Sequence, residues 1–145
     1  MSRSQTLHRL SGMDRNSSRL TLAAVVALHL AVTVAHGIAH SRAAVPLSLP
    51  SLVFVVVVIQ AAPLIGAAWM WRNPLRGARL IGAAMAASLV FGLVNHFLVP
   101  GPDHVNHVAG QWRLLFETTA FLLAVTEAAG AILGLRYRMV ARRGA

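Results

Sequence analysis

Long apolar stretches alternate along the chain with short polar segments. The apolar stretches occupy residues 20–40, 52–70, 80–99 and 114–135, and each approaches the roughly 20 residues that a helix needs to cross a bilayer. They are continuously apolar and do not alternate, which predicts helices rather than barrel strands. The breaks between them contain proline and glycine in turn-forming contexts. The pattern predicts an all-α integral membrane protein, a bundle of four transmembrane helices with antiparallel neighbours.

The distribution of arginine predicts the orientation of these helices. Eleven of the thirteen arginines lie in the N-terminal tail, the second connection or the C-terminal tail, and the other connections contain only Arg42 and Arg113. Because basic residues accumulate in cytoplasmic loops, we expect both termini in the cytoplasm of a cell (inner or plasma) membrane. We therefore divide the chain into a mobile basic tail (1–19), a transmembrane domain (20–136) and a short basic tail (137–145).

A cleaved signal peptide is the alternative reading of the first apolar stretch. That stretch is longer than the apolar region of a typical signal peptide, and it contains His29 and His36. The sequence therefore favours a retained transmembrane helix.

Composition narrows the class of protein further. Hydrophobic residues make up 57% of the chain and charged residues 12%, a balance that is unusual for a soluble domain. The net charge of +9 would suit nucleic acid only as a basic patch on a folded surface. Here the arginines flank apolar segments, so we expect contact with the lipid bilayer and no nucleic-acid partner. The absence of cysteine excludes disulfides, iron–sulfur clusters and thiolate metal sites.

Histidines and carboxylates gather at one end of the predicted bundle. The segment HGIAH places His36 and His40 on one face of the first helix, one turn apart. With antiparallel neighbours, the third helix ends and the fourth begins on this same extracytoplasmic side. Because polar residues within a span are costly, each is a functional candidate. We predict a metal site with these ligands: His36, His40, His96, Asp103, His104, His107 and Glu117. Thr33 and Asn95 are predicted to support the ligands.

The types of ligand atom limit which metal ions could bind. Imidazole and carboxylate suit zinc, copper(II) or iron, whereas copper(I) prefers sulfur ligands. Haem b is an alternative cofactor, because His36 or His40 could provide one axial ligand and His96 the other. Gly37 and Gly92 would leave room for its macrocycle.

Three classes of function remain open at this point. A metal-dependent oxidoreductase predicts an open coordination position and an apolar substrate cleft. A b-type haem electron carrier predicts two indispensable histidines. A non-catalytic subunit of a larger membrane complex predicts histidines that only join helices by hydrogen bonds.

A second polar layer is predicted deeper in the bundle. His29 and Glu127 lie at similar depths in the first and fourth helices, so we expect them to form a buried pair, as a proton relay or as a contact between helices. Gly130 and Gly134 form a GxxxG motif, which favours contact with another helix or a homo-oligomer.

Overall fold

The computed structural model describes residues 3–143, with side chains described for residues 16–137. It is all-helical, and the described residues contain no strand, as the sequence predicts. Within the described residues, four helical segments are long and apolar enough to cross a membrane, and each contains a predicted apolar stretch, except for Val99 at the end of the third. They are Asn16–Arg42, Leu49–Met70, Pro74–Leu98 and Arg113–Tyr137. The assignment of residues 1–19 and 137–145 as tails stays a prediction.

The helices have the following bounds, with the labels used below. The first segment belongs to α1, Arg3–Arg42. The second comprises α2, Leu49–Phe54, a π-helical turn, Val55–Ala61, and α3, Ala62–Met70. The third comprises α4, Pro74–Leu93, and a π-helical turn, Val94–Leu98. A short 3₁₀ turn, Val105–His107, precedes α5, Arg113–Arg143.

Side-chain caps define where two of the helices begin. The Ser48 hydroxyl accepts a hydrogen bond from the backbone N–H of Ser51 at the start of α2. The Asn73 side chain accepts one from the N–H of Arg76 at the start of α4, where Pro74 is the first helical residue. These caps satisfy N–H groups that have no partner inside a helix, and proline at the first turn loses no helical hydrogen bond.

The GxxxG motif packs inside the chain. A Cβ built on Gly134 would lie 2.7 Å from the Cα of Gly82 on α4, so the two backbones are in close contact. The sulfur of Met85 lies against Gly130 one turn earlier. Small residues allow this close approach in membrane helices. The motif thus joins α5 to α4 of the same chain.

Large apolar side chains cover the outside of all four segments. Leu28, Val57, Val90 and Phe121, one from each segment, are all more than half exposed. A hydrophobic cluster that includes Leu22, Ile81, Met85 and Tyr137 fills part of the interior. Apolar helices with such outer faces are consistent with contact to lipid.

Candidate metal centre

Three histidines converge at a buried point between α1 and the π-helical turn that follows α4. His36 and His40 lie one turn apart on α1, and His96 occupies the π turn. All three are buried, and one ligand nitrogen from each lies within 4.8 Å of the others. The imidazole rings of His36 and His96 have centroids 4.8 Å apart. This confirms the prediction that a histidine cluster could hold a metal ion.

Thr119 determines which nitrogen of His36 carries its proton. The Nδ1 atom of His36 lies 2.8 Å from Oγ1 of Thr119. The Thr119 hydroxyl donates its own proton to the carbonyl of Leu115, at 2.6 Å, so it can only accept from the imidazole. His36 is therefore protonated on Nδ1, and its Nε2 has a free lone pair.

The same reasoning applies to the other two rings. Nδ1 of His96 lies 3.0 Å from the backbone carbonyl oxygen of Asp103, and Nδ1 of His40 lies 3.4 Å from that of Val45. A carbonyl oxygen only accepts, so each Nδ1 is the donor, and Nε2 of His96 keeps a lone pair. Nε2 of His40 lies beside the carboxylate of Asp103. Histidines that bind metals commonly donate their other N–H to a protein acceptor in this way.

The free nitrogens face one another without a donor between them. Nε2 of His36 lies 3.2 Å from Nε2 of His96. Two lone pairs at this distance repel unless a proton or a metal cation lies between or beside them. The hydrogen-bonding pattern of the cluster therefore calls for a positive charge at its centre.

Asp103 places a carboxylate beside two of the three rings. Its Oδ1 lies 3.1 Å from Nε2 of His40 and 3.2 Å from Nδ1 of His96. This oxygen is buried and, within the described part of the chain, accepts no well-formed hydrogen bond. Burial alone raises the pKa of the Asp103 carboxyl, but the His40 and His96 rings outweigh burial and hold the pKa well below its usual range. The ligand atoms that converge are the three imidazole nitrogens, and the Asp103 carboxylate lies beside two of these rings.

Phe116 forms an apolar wall beside the cluster. Its ring centroid lies 4.9 Å from those of His36 and His40 and 5.5 Å from that of His96. Two axial nitrogens on one haem iron would be about 4 Å apart, twice a typical metal–nitrogen bond, whereas here Nε2 of His36 and Nε2 of His96 are 3.2 Å apart. The geometry favours a bare ion over haem.

Three of the predicted site residues form their hydrogen bonds away from the histidine cluster: Glu117, Asn95 and Thr33. Glu117 is half-buried and accepts a hydrogen bond from Nε of Arg113, one turn earlier on α5. The amide of Asn95 and the hydroxyl of Thr33 each donate to the backbone carbonyl four residues before them. None of the three shares a described hydrogen bond or ion pair with the histidine cluster.

The two loop histidines also bond to nearby backbone. Nε2 of His104 lies 3.3 Å from the carbonyl oxygen of Phe97, and its Nδ1 accepts from the N–H of Asn106. Nδ1 of His107, an exposed residue, donates to the carbonyl oxygen of Gly101 at 2.7 Å. Their rings contact each other, with centroids 5.3 Å apart. They are not among the three histidines whose ligand nitrogens converge.

His29 is joined to the second segment and not to Glu127. Its Nε2 lies 3.1 Å from the carbonyl oxygen of Ile59, whose usual α-helical donor four residues later is absent because Pro63 has no N–H. Its Nδ1 lies 3.4 Å from the hydroxyl of Thr126. No described hydrogen bond connects His29 with Glu127. The contacts of His29 are those of a residue that satisfies a free carbonyl between helices.

A cavity of about 280 Å³ adjoins the cluster. His36, His40, His96 and Asp103 line it at the histidine cluster, and Glu127 also borders it. The rest of the wall is largely apolar, from both π-helical turns and the neighbouring helices. π-Helical turns of this kind occur frequently at functional sites.

The sequence alone did not identify Thr119 and Phe116 as parts of the site. Both lie on the buried face of α5 that also carries Ala120. A threonine and an aromatic residue three positions apart on that face were the available signal.

Comparisons with known proteins found no matching family model, no similar curated protein and no similar solved structure. The site therefore has to be interpreted from its own chemistry.

Proposed function

We propose that the protein is a multi-pass membrane protein that binds one transition-metal ion through His36, His40, His96 and Asp103. The four apolar segments would cross the bilayer as antiparallel neighbours with both termini in the cytoplasm. The arginine distribution supports this orientation, and in it the metal would lie at the extracytoplasmic end. Glu117, His104 and His107 lie outside this ligand set.

One observation carries the proposal. Each of the three imidazoles has its Nδ1 beside a protein acceptor, and the Nε2 atoms of His36 and His96 face each other 3.2 Å apart. Beside them, the buried Oδ1 of Asp103 accepts no well-formed hydrogen bond among the described residues. A divalent cation would satisfy all of these groups at once, since metal ligands are deprotonated on the coordinating atom.

The ligand chemistry selects the metal class. Three imidazoles and one carboxylate suit zinc, iron or copper(II), and no sulfur ligand is present to favour copper(I). The adjacent apolar cavity supports a metal that acts on a molecule, as a metal-dependent oxidoreductase would, over a purely structural ion. A single ion of this class is the cofactor we expect, in place of haem b.

Elemental analysis tests the proposal directly. The protein would be purified in detergent with a tag that contains no histidine, and bound metals would be counted by ICP-MS. We expect close to one transition-metal ion per chain in the wild type and almost none in His96→Ala. Wild-type protein that is metal-free and does not take up added zinc, iron or copper would overturn the proposal.

The orientation is tested separately. Fusions of a reporter that is active only outside the cytoplasm would be made at the C-terminus and in the connection near Gly101. We expect activity from the loop fusion only. Activity at the C-terminus would reverse the proposed orientation without affecting the metal site.

A further inference from the structure

The cavity beside the cluster has the size of a small-molecule site. Its volume of about 280 Å³ is near the lower end of typical ligand pockets, and corresponds to roughly nine water-sized units. Leu52, Val55, Ile59, Phe91 and Leu123 contribute apolar wall. A molecule that fills this space must therefore be mostly apolar and contain on the order of ten non-hydrogen atoms.

Glu127 is a buried polar group of this cavity that has no partner among the described residues. Its side chain is only 2% exposed, it lines the cavity, and no described residue forms a hydrogen bond or ion pair with its carboxyl group. A buried polar group without a partner is costly. Since neither His29 nor another side chain satisfies it, a group on a bound molecule is the natural partner.

The carboxyl group of Glu127 also approaches the histidine cluster. Side chains on a helix lean toward its N-terminus, and the N-terminal part of α5 is the part that contacts the cluster through Thr119. A Cβ built on Gly92 would lie 3.7 Å from Oε2 of Glu127 and 3.9 Å from Cδ2 of His96. The small residue at position 92 thus leaves open the space between the carboxyl group and the metal site.

We infer that this cavity binds a small apolar molecule with a single hydroxyl or carbonyl oxygen, placed between the metal and Glu127. The oxygen would bind the metal on one side and hydrogen-bond to Glu127 on the other, while the apolar walls surround the hydrocarbon body. The inference rests on the proposed metal site and specifies the class of molecule that the site takes. An apolar molecule of this kind would be concentrated in the bilayer around the helices.

The test uses Co²⁺ as the metal and 4-propylphenol as the probe. The visible absorption of Co²⁺ changes when an oxygen ligand enters its coordination sphere, so a titration in detergent reports binding at the metal. Propylbenzene, which has the same body without the oxygen, is the matched control molecule. Co²⁺ content is measured by ICP-MS in every sample.

Two variants change the cavity without removing a metal ligand. Gly92→Ala adds a methyl group at ordinary contact distance, so it should fold while occupying the space between Glu127 and His96. Glu127→Leu removes the hydrogen-bonding group at similar size. Gly101→Ala is the control variant, because a Cβ there meets nothing within 4 Å and the residue does not line the cavity.

We expect a saturable spectral change with 4-propylphenol and none with propylbenzene. Gly92→Ala and Glu127→Leu should each weaken the response at least tenfold with their Co²⁺ content unchanged, and Gly101→Ala should match the wild type. Full Co²⁺ content with no response to the phenol, or with equal responses in all variants, would overturn this inference and leave the metal site standing. Failure of the wild type to bind Co²⁺ would overturn both.

Discussion

Two histidine pairs with closely similar spacing differ in their surroundings. His36 and His40 are four positions apart, His104 and His107 three, and each pair brings its rings into contact. The first pair is buried among a third histidine and Phe116. The second is partly exposed and bonds to backbone groups of its own connection. Spacing therefore predicts that two rings meet, but not that they form a ligand set.

The hydrogen bonding of the ring nitrogens explains the difference between the two pairs. In the first pair, Nδ1 of each ring lies beside a protein acceptor, and its Nε2 is left facing the shared centre. In His104, both ring nitrogens are engaged by backbone groups. A histidine becomes a good metal ligand when one nitrogen is held and the other is free and buried. The same rule can be tested by removing each pair in turn.

The largest expected effect comes from deleting the two pairs separately. The double variant His36→Ala/His40→Ala should lose essentially all bound metal, since it removes two of four donors. The matched variant His104→Ala/His107→Ala should retain about one ion per chain. ICP-MS of both proteins, purified side by side, measures the difference. Equal loss in the two variants would mean that the loop pair belongs to the site after all.

The next largest effect concerns Thr119, the hydrogen-bond acceptor for Nδ1 of His36. Thr119→Val removes the acceptor for Nδ1 of His36 while keeping the shape of the side chain. We expect metal affinity to fall by roughly 10- to 100-fold, as for other residues that orient a metal-bound histidine. Competition against a chromogenic chelator gives the affinity. Thr119→Ser, which keeps the hydroxyl, should remain close to the wild type, and an equally weak serine variant would argue against the orienting role.

The four helices were predictable from the expectation that the apolar stretches lie in lipid. A chain segment in lipid has to be a helix or part of a closed barrel, since every backbone group within a membrane needs an internal partner. The convergence of His36, His40 and His96 followed from their periodicity and from the assumed antiparallel packing. The groups that bond to those rings could not be predicted in the same way. The role of Asp103 depends on how the connection folds back, and that of Thr119 on the rotation of α5 about its axis.

The His29–Glu127 pair shows why depth alone is insufficient. Both residues lie at similar depth, but Pro63 frees the carbonyl of Ile59, and this acceptor engages His29. Glu127 instead faces the cavity. The competing acceptor could have been anticipated from a proline within an apolar helix, although the helix face that presents it could not.

Substitution of His29 should lower the stability of the protein without changing its metal content. His29→Leu removes the donor to the Ile59 carbonyl, so we expect a loss of about 1 kcal/mol, the usual scale for hydrogen bonds between membrane helices. Thermal unfolding followed by circular dichroism in detergent measures this loss, and ICP-MS should still find one ion per chain. Thr33→Val is the control, because the Thr33 hydroxyl donates to a carbonyl of its own helix. Loss of metal in His29→Leu would instead indicate that His29 and the histidine cluster are directly coupled.

The smallest expected effect separates the two loop histidines from each other. His104 bonds to the carbonyl oxygen of Phe97, so it fastens the connection that carries Asp103 to the turn that carries His96. His104→Ala should loosen this carboxylate and reduce metal affinity by roughly two- to fivefold, the equivalent of one hydrogen bond worth about 0.5–1 kcal/mol. His107→Ala removes only an exposed bond to Gly101 and should leave affinity unchanged in the same chelator competition. A larger loss of metal affinity in His107→Ala than in His104→Ala would contradict this expectation. It would mean that the exposed ring of His107, and not the hydrogen bond from His104 to Phe97, keeps Asp103 in position.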